Sequence, residues 1–234
     1  MIKLVDLLNE GVYDPGIFKA VFTGGGPGSG KSYAASELFG IPERMPFVSA
    51  KGLKGVNTDS AFEASLKRAG LGTDLSKMDA DQFAQSQVLR KKAKKAVASQ
   101  LEHYIKGKLG LLIDGTGHNY NKIVDRKKRL EKLGYDTFMV FVNTSLDVAL
   151  KRNEERDRTL PEKIVKEYWQ ACQNNLGKFQ GAFGASNMLV VDNSEKKDFP
   201  DSVIKAANKF VNKPIQNHIA KAWIKKELEL RKSK

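Results

Sequence analysis

Short apolar runs alternate along the chain with longer segments in which apolar residues recur every three or four positions. The runs predict buried strands at residues 19–23, 55–58, 109–113, 136–142 and 188–191. The longer segments predict helices at 32–39, 60–69, 79–106, 121–133, 145–156, 159–178, 200–211 and 214–232. Strands that alternate with helices predict an α/β fold with a parallel sheet and helices on both of its faces.

The long helix predicted at 79–106 has an apolar stripe on one face and basic residues on its other faces. Ala93, Val97, Leu101 and Ile105 form one stripe, and basic residues at 90–95 crowd the remainder. The stripe is expected to pack against the sheet, because one buried face is enough to hold such a helix. The basic residues are typical of a solvated helix face, and they also suit a nucleic-acid backbone.

A glycine-rich loop follows the first predicted strand and precedes a predicted helix. It reads Gly25, Gly26, Pro27, Gly28, Ser29, Gly30, Lys31 and Ser32, which matches G-x-x-x-x-G-K-[ST]. Glycines let the backbone wrap so that its N–H groups face phosphate oxygens, and the helix N-terminus adds positive charge. Lys31 is expected to reach the β- and γ-phosphates of ATP, and the Ser32 hydroxyl to bind Mg²⁺.

Two aspartates lie where further predicted strands end. The carboxyl ends of parallel strands meet at one edge of the sheet, so Asp59 and Asp114 are expected near the loop. Asp59 is a candidate base for an attacking hydroxyl, or alternatively a helix N-cap. Asp114 is a candidate magnesium ligand, directly or through water, and with Thr116 a candidate acceptor contact. His118 and Arg126 are candidate acceptor contacts as well.

Three arginines, Arg152, Arg156 and Arg158, come at the end of a predicted helix and in the turn before Thr159. We expect at least one of them to contact ATP and neutralise charge during phosphoryl transfer. The alternative is that they pair with the neighbouring acidic residues at 154, 155 and 157. Thr159 and Glu162 have the spacing of a capping box, which predicts that the next helix starts there.

Composition narrows the class of protein. The 234 residues carry a net charge of +13, with 41% hydrophobic and 29% charged residues, so DNA or RNA is a candidate partner. No apolar stretch approaches the roughly 20 residues of a membrane span. Cys172 is the only cysteine, which indicates a reducing compartment, and we expect a cytoplasmic protein. We divide the chain into a leader at 1–17, a P-loop domain at 18–212 and a basic helical appendage at 213–234.

The order of these motifs resembles the zeta-toxin group of P-loop kinases. The shared features are GGGPGSGKS, an aspartate that closes the next strand, a strand that ends in Asp-Gly-Thr, and an arginine-rich segment. The kinase domain of polynucleotide kinase and chloramphenicol phosphotransferase are relatives with the same plan. The resemblance spans residues 18–191 and implies a three-layer P-loop NTPase fold with Lys31 and Ser32 on ATP·Mg²⁺, Asp59 as base, and Asp114 and Thr116 near the acceptor.

The sequence departs from that group just after Asp-Gly-Thr. Zeta toxins phosphorylate a UDP-amino sugar and typically have an arginine close behind this motif, whereas Gly117, His118 and Asn119 follow here. This difference argues against a UDP-amino-sugar acceptor, but phosphoryl transfer is still expected.

We therefore expect an ATP-dependent phosphotransferase that acts on a hydroxyl, and the charge favours a nucleic-acid or nucleotide-like acceptor such as a 5′-end or a modified base. The alternatives are a UDP-amino-sugar kinase, a toxin blocked by an antitoxin partner, and a nucleic-acid-binding module that uses ATP as a switch.

Overall fold

Five parallel strands form a single sheet in the computed structural model, which describes residues 11–42, 47–156, 159–195 and 198–232. The strands are β1 Lys19–Gly24, β2 Leu53–Val56, β3 Gly110–Ile113, β4 Asp136–Asn143 and β5 Met188–Asp192, in the spatial order β2-β3-β1-β4-β5. β1 lies in the middle, with Ala20 opposite both Leu111 and Thr137. The strands on either side of β1 therefore end at the same edge of the sheet as the glycine-rich loop.

Helices connect the strands and cover both faces of the sheet. Within the described residues they are α1 Lys31–Phe39, α2 Thr58–Arg68, α3 Ala80–Lys106, α4 Tyr120–Lys132, α5 Leu146–Glu154, α6 Glu162–Phe183, α7 Asp201–Asn212 and α8 His218–Lys232. Short 3₁₀ turns occur at Gly11–Tyr13, Leu75–Lys77 and Ala185–Asn187.

Alternate residues of the strands point into two separate cores, as the period of two along a strand requires. Ala20, Phe22 and Phe141 face one core, where they pack against α3, α4, α6 and α8. Val21 and Val140 face the other core, which α1 and α7 cover. This three-layer arrangement confirms the predicted α/β P-loop fold with its basic C-terminal helix.

The predicted stripe of α3 lies against the sheet. Val97, Leu101 and Ile105 are buried in the first core, and Ala93 packs in a smaller cluster with Phe62 of α2. Asp79 caps the helix through a capping box with Gln82. The basic residues that share α3 are consequently left on its other faces.

Two helix starts differ from their predictions. β2 ends at Val56, two residues earlier than expected, and the Asn57 side chain accepts hydrogen bonds from the backbone N–H groups of Asp59 and Ser60. The N-cap of α2 is therefore Asn57, and the interpretation of Asp59 as the cap is wrong. The predicted Thr159 capping box is also wrong: Pro161 is the N-cap of α6, and its carbonyl accepts from the N–H groups of Ile164 and Val165.

Helix α8 packs on the rest of the molecule along one side. Ala220 is fully buried, and the Trp223 ring meets Phe18 edge-on with ring centroids 5.5 Å apart. The Asp136 carboxylate accepts hydrogen bonds from the backbone N–H groups of Gln216 and Asn217, just before the helix starts. The proposed leader at 1–17 lies largely outside the described residues, and the proposed division into a domain and an appendage stays a prediction.

Candidate active site

The glycine-rich loop adopts a tight backbone path between β1 and α1. Gly28 and Gly30 both have positive φ, of 74° and 87°, a conformation that favours glycine. A Cβ on Gly28 would lie 2.5 Å from the Ala149 carbonyl oxygen, and one on Gly30 would collide with the Asn193 side chain. The glycines at these two positions are therefore required both by backbone conformation and by space.

Residues from distant parts of the chain hold the loop in place. Asn193, directly after β5, donates a hydrogen bond from its side-chain amide to the Ser29 carbonyl (2.8 Å). Arg152 of α5 donates to the Asn193 carbonyl (2.8 Å) and makes a longer contact with the Gly28 carbonyl (3.4 Å). The predicted ATP contact Arg152 thus lies directly beside the loop.

The Lys31 ammonium folds back over its own loop, where it donates to the carbonyls of Gly25 (3.1 Å) and Gly26 (3.0 Å). Desolvation by burial lowers the pKa of Lys31, and the negative charges of Asp114 and Asp59 act in the opposite direction. Arg156 lowers the pKa further. A cation in this position can move onto a phosphate, because both of its partners are neutral carbonyls.

Asp114 is fixed by two side chains from neighbouring strand ends. Thr23, the penultimate residue of β1, donates from its hydroxyl to Oδ1 (2.8 Å), and Asn57 donates from its amide to Oδ2 (3.0 Å). Asn57 therefore has two tasks, since it also caps α2. Thr23 and Asn57 were not among the predicted site residues.

A small cavity of about 50 Å³ brings the predicted magnesium ligands together. Ser32, Asp114, Lys31 and Asn57 all line it. Mg²⁺ prefers oxygen ligands and usually combines one or two carboxylates with water and substrate phosphate oxygens. A hydroxyl and a carboxylate beside a phosphate-binding loop fit that preference, so Ser32 and Asp114 are the residues that would hold the ion.

A second and larger cavity, of about 450 Å³, lies next to the first. The two share Val56, Asn57 and Asp114 as lining residues. Asp59, in the first turn of α2, lines the larger cavity. The other polar residues that line it are Thr58, Arg90, Lys94, Thr116, His118, Asn119, Lys122 and Arg126. The carboxylates of Asp59 and Asp114 thus stand between a phosphate-binding loop and an open space that a second substrate can enter.

Helix α6 holds the loop that follows β3. Asn175 donates from its amide to the carbonyls of Gly117 (3.1 Å) and His118 (3.0 Å), and the Cys172 thiol donates to the Thr116 carbonyl (2.9 Å). Burial raises the pKa of Cys172 to about 11, so the thiol stays protonated and serves as a donor. These contacts fix the backbone of the predicted acceptor residues.

The His118 ring is packed and oriented within this loop. It stacks on Tyr168 of α6 with centroids 4.1 Å apart and planes 6° from parallel, and its Nδ1 shares a hydrogen bond with the Thr116 hydroxyl. Burial lowers the pKa of His118, and the charges of Lys122 and Lys31 lower it further. The imidazole is therefore neutral at pH 7, where it can either donate or accept a hydrogen bond.

The remaining predicted arginines have different outcomes. Helix α5 ends at Glu154, two residues before the predicted end at 156, so Arg156 lies outside the helix. Arg156 is exposed, yet near enough to Lys31 to affect its pKa. Arg158 lies outside the described residues. Arg126 lines the larger cavity, where it is half-buried.

Several residues at the site were missed by sequence reasoning. Asn193 directly follows β5 in the structure, but the predicted strand ends at residue 191, so the rule that pointed to Asp114 would have pointed to Asp192 instead. Asn175, Cys172 and Tyr168 come from the middle of a helix, and no local pattern separates them from ordinary helix residues. Their positions depend on how α6 crosses the end of the sheet.

Comparison with known proteins identifies the family. The profile of the family described as "Zeta toxin" matches residues 74–203, which is more than half of the chain. No curated protein sequence matches. Within the described residues, none of the helices combines the length and the apolar character needed to cross a membrane.

Solved structures with a similar fold include three that differ in setting. The AvrRxo1-ORF1:AvrRxo1-ORF2 complex matches with a TM-score of 0.50 and 14% identity over 76% of this chain and 55% of that one, and it has also been solved with ATP. The Pnkp1/Rnl/Hen1 RNA repair complex matches with a TM-score of 0.49 and 18% identity over 69% of this chain and 46% of that one. The PezAT toxin-antitoxin system of Streptococcus pneumoniae matches with a TM-score of 0.48 and 14% identity over 83% of this chain and 85% of that one. This chain thus spans about half the length of the first two.

The sheet order, the loop between β1 and α1 and the family match agree with one another. The chain belongs to the zeta toxin family and has an α/β P-loop fold.

Proposed function

We propose that this protein transfers the γ-phosphoryl group of ATP to a hydroxyl of a nucleic-acid or nucleotide-like acceptor. One observation carries the proposal: Asp59 and Asp114 border a cavity of about 450 Å³ that is lined by four cationic side chains and shares Asn57 and Asp114 with the small cavity beside Lys31 and Ser32. An anionic acceptor is favoured in such a cavity, because cations raise the local concentration of anions.

The donor side follows from the loop. Its N–H groups and Lys31 would bind the β- and γ-phosphates, and Ser32 with Asp114 would hold Mg²⁺, which neutralises phosphate charge. Arg152 beside Gly28, together with Arg156 and Arg158, would stabilise the charge that spreads over the transferred group. The structure of the AvrRxo1-ORF1:-ORF2 complex with ATP supports the choice of nucleotide.

Two transfers would take place at the acceptor, that of a proton to Asp59 and that of a phosphoryl group to the acceptor oxygen. The acceptor hydroxyl would give its proton to the Asp59 carboxylate as its oxygen bonds to the γ-phosphorus, while the bond to the β-phosphate oxygen breaks and ADP leaves. Asp114, Thr116, His118 and Arg126 would orient the acceptor. Most of the rate would then come from positioning and charge neutralisation.

Asp59→Asn tests this assignment. We expect phosphoryl transfer to fall by about 100-fold or more, the range for loss of a general base, with ATP affinity unchanged. Asp81→Asn is the matched control, because Asp81 also lies in the first turn of a helix but is exposed and remote from the cavity. Transfer is measured with γ-labelled ATP and a panel of DNA and RNA ends, modified-base DNA, nucleosides and UDP-sugars. Full transfer by Asp59→Asn would contradict the role of Asp59.

A UDP-amino sugar is the second candidate acceptor, and family membership supports it. Labelling of UDP-sugars alone in the same panel would favour it over nucleic acid.

A toxin with an antitoxin partner would arrest growth when expressed by itself, and Lys31→Ala would abolish the arrest. If wild type and Lys31→Ala are equally harmless, a toxic role is excluded.

A further inference from the structure

Four cations line the larger cavity. Arg90 and Lys94 come from α3, Lys122 and Arg126 from α4, and each pair is spaced i, i+4, which puts its members on one helical face. Among the described residues none of the four forms an ion pair. Arg90 also lies over the Phe62 ring, with its guanidinium carbon 5.7 Å from the ring centroid.

Two other basic residues of α4 are paired. Arg129 makes a two-pronged contact with Glu102, at 2.7 and 2.6 Å, and Lys127 pairs with Glu131 at 2.6 Å. Lys128 and Lys132 of the same helix form no ion pair within the described residues either. What sets the four cations apart is therefore that they line one cavity together.

Like charges spaced i, i+4 destabilise a helix by a few tenths of a kcal/mol unless an anion is shared. Arg126 carries an added cost, because burial lowers its pKa and the charge of Arg129 lowers it further. Asp59 and Asp114 are the two carboxylates that line the cavity, and Asp114 already accepts from Thr23 and Asn57. Cations are thus in excess at a place where a bound anion would relieve their repulsion.

The size of the cavity limits the anion. About 450 Å³ is within the range that encloses a small molecule, whereas a duplex, whose major groove alone is about 12 Å wide, does not fit. Outside the cavity, exposed Lys91 and Lys95 continue the positive charge along α3. A chain that leaves the cavity would meet these lysines, and a free nucleotide would not need them.

We propose that the acceptor is a single-stranded nucleic-acid segment whose phosphates, next to the reactive nucleotide, are bound by Arg90, Lys94, Lys122 and Arg126. The inference rests on the proposed transfer to a hydroxyl beside Asp59. It adds the phosphate subsite, the need for an unpaired strand and the direction along α3 in which the strand leaves.

Binding of a fluorescent single-stranded 12-mer, followed by anisotropy over a range of salt concentrations, tests the proposal. The four contacts inside the cavity contribute about −2.8 to the slope of log K against log salt, at roughly 0.7 for each contact with a single strand, and contacts with Lys91 and Lys95 would make the slope more negative. The double variant R90Q/K94Q removes two contacts, so its slope is expected to be less negative than that of wild type by about 1.4 and its affinity lower by about tenfold or more. K221Q/K225Q is the matched control: it removes the same charge at the same spacing from the exposed face of α8.

The outcomes separate the alternatives. Loss of binding in R90Q/K94Q with wild-type binding in K221Q/K225Q, and weaker binding of a blunt duplex, supports the proposal. Equal losses in both double variants would mean charge attraction without a site, and would overturn it. If a nucleoside monophosphate displaces the fluorescent strand as well as an unlabelled 12-mer does, the proposal of a strand is overturned in favour of a small nucleotide acceptor.

Failure of this inference can be told from failure of the proposed function, since the binding measurement needs no ATP. If the strand binds through Arg90 and Lys94 but γ-labelled ATP labels no acceptor, the proposed phosphoryl transfer is wrong and the proposed phosphate subsite is supported. If a sugar or nucleoside is labelled and the strand does not bind, the proposed subsite is wrong and the proposed kinase activity is supported.

Discussion

At the scale of single residues, charge and burial set the protonation states of the site. His118 is held between Tyr168, Thr116 and the α6 amide of Asn175, and it has nearby cations in Lys122 and Lys31. Folding therefore favours its neutral form.

The lowered pKa of His118 makes stability depend on pH. The unfolded chain takes up this proton near pH 6.5 and the folded chain only at lower pH, so between these values the unfolded state binds more protons and stability falls as pH falls. We expect His118→Gln to lose less free energy of unfolding than wild type between pH 7.5 and pH 5.5, as measured by urea denaturation. An equal loss in both proteins would contradict a depressed pKa.

At the scale of elements, the first turn of α2 connects the sheet to the chemistry. Asn57 caps the helix and also donates to Asp114, so one side chain sets the positions of Asp59 and Asp114 together. Asp79 caps α3 in a similar way, but it lines neither cavity. Comparison of the two caps separates helix stability from site geometry.

We expect Asn57→Ala and Asp79→Ala each to lower the free energy of unfolding by about 1 kcal/mol, the usual cost of an N-cap. Only Asn57→Ala should also slow phosphoryl transfer, because it frees the Asp114 carboxylate and the start of α2. Urea denaturation and transfer from γ-labelled ATP measure the two effects. Equal transfer rates in the two variants would remove the positioning role of Asn57.

At the scale of the whole molecule, the C-terminal helix is attached to the first core rather than to the cavities. Trp223 packs on Phe18, and Ala220 is buried in the same core. Lys19 is buried beneath this region, where it donates to the Lys213 carbonyl (2.7 Å) and lies 3.5 Å from Asp136. We infer that α8 stabilises the fold without shaping the acceptor site, and the boundary at residue 213 stays a proposal.

Trp223→Ala tests this role. Truncation of a fully buried tryptophan lowers the free energy of unfolding by about 3–5 kcal/mol. Because Trp223 is half-buried, we expect its truncation to lower the free energy of unfolding by about 2 kcal/mol. Lys226→Ala, on the exposed side of the same helix, should change stability by less than about 0.5 kcal/mol. Transfer activity at low temperature should be the same in both. A selective loss of activity in Trp223→Ala would tie α8 to the site.

Local sequence patterns were enough to predict three features: the order of strands and helices along the chain, the glycine-rich loop between β1 and α1, and the meeting of Asp59 and Asp114 at one edge of the sheet. These depend on local periodicity and on backbone conformations that glycine permits, and both are written in neighbouring residues. Which side chains surround that edge depends on long-range packing. The hydrogen bond from Asn193 to Ser29 joins residues 164 positions apart, and Arg90 and Lys94 of α3 line the larger cavity, whereas Arg129 of α4 pairs with Glu102. Contacts of this kind depend on how helices cross the sheet, which no local pattern encodes.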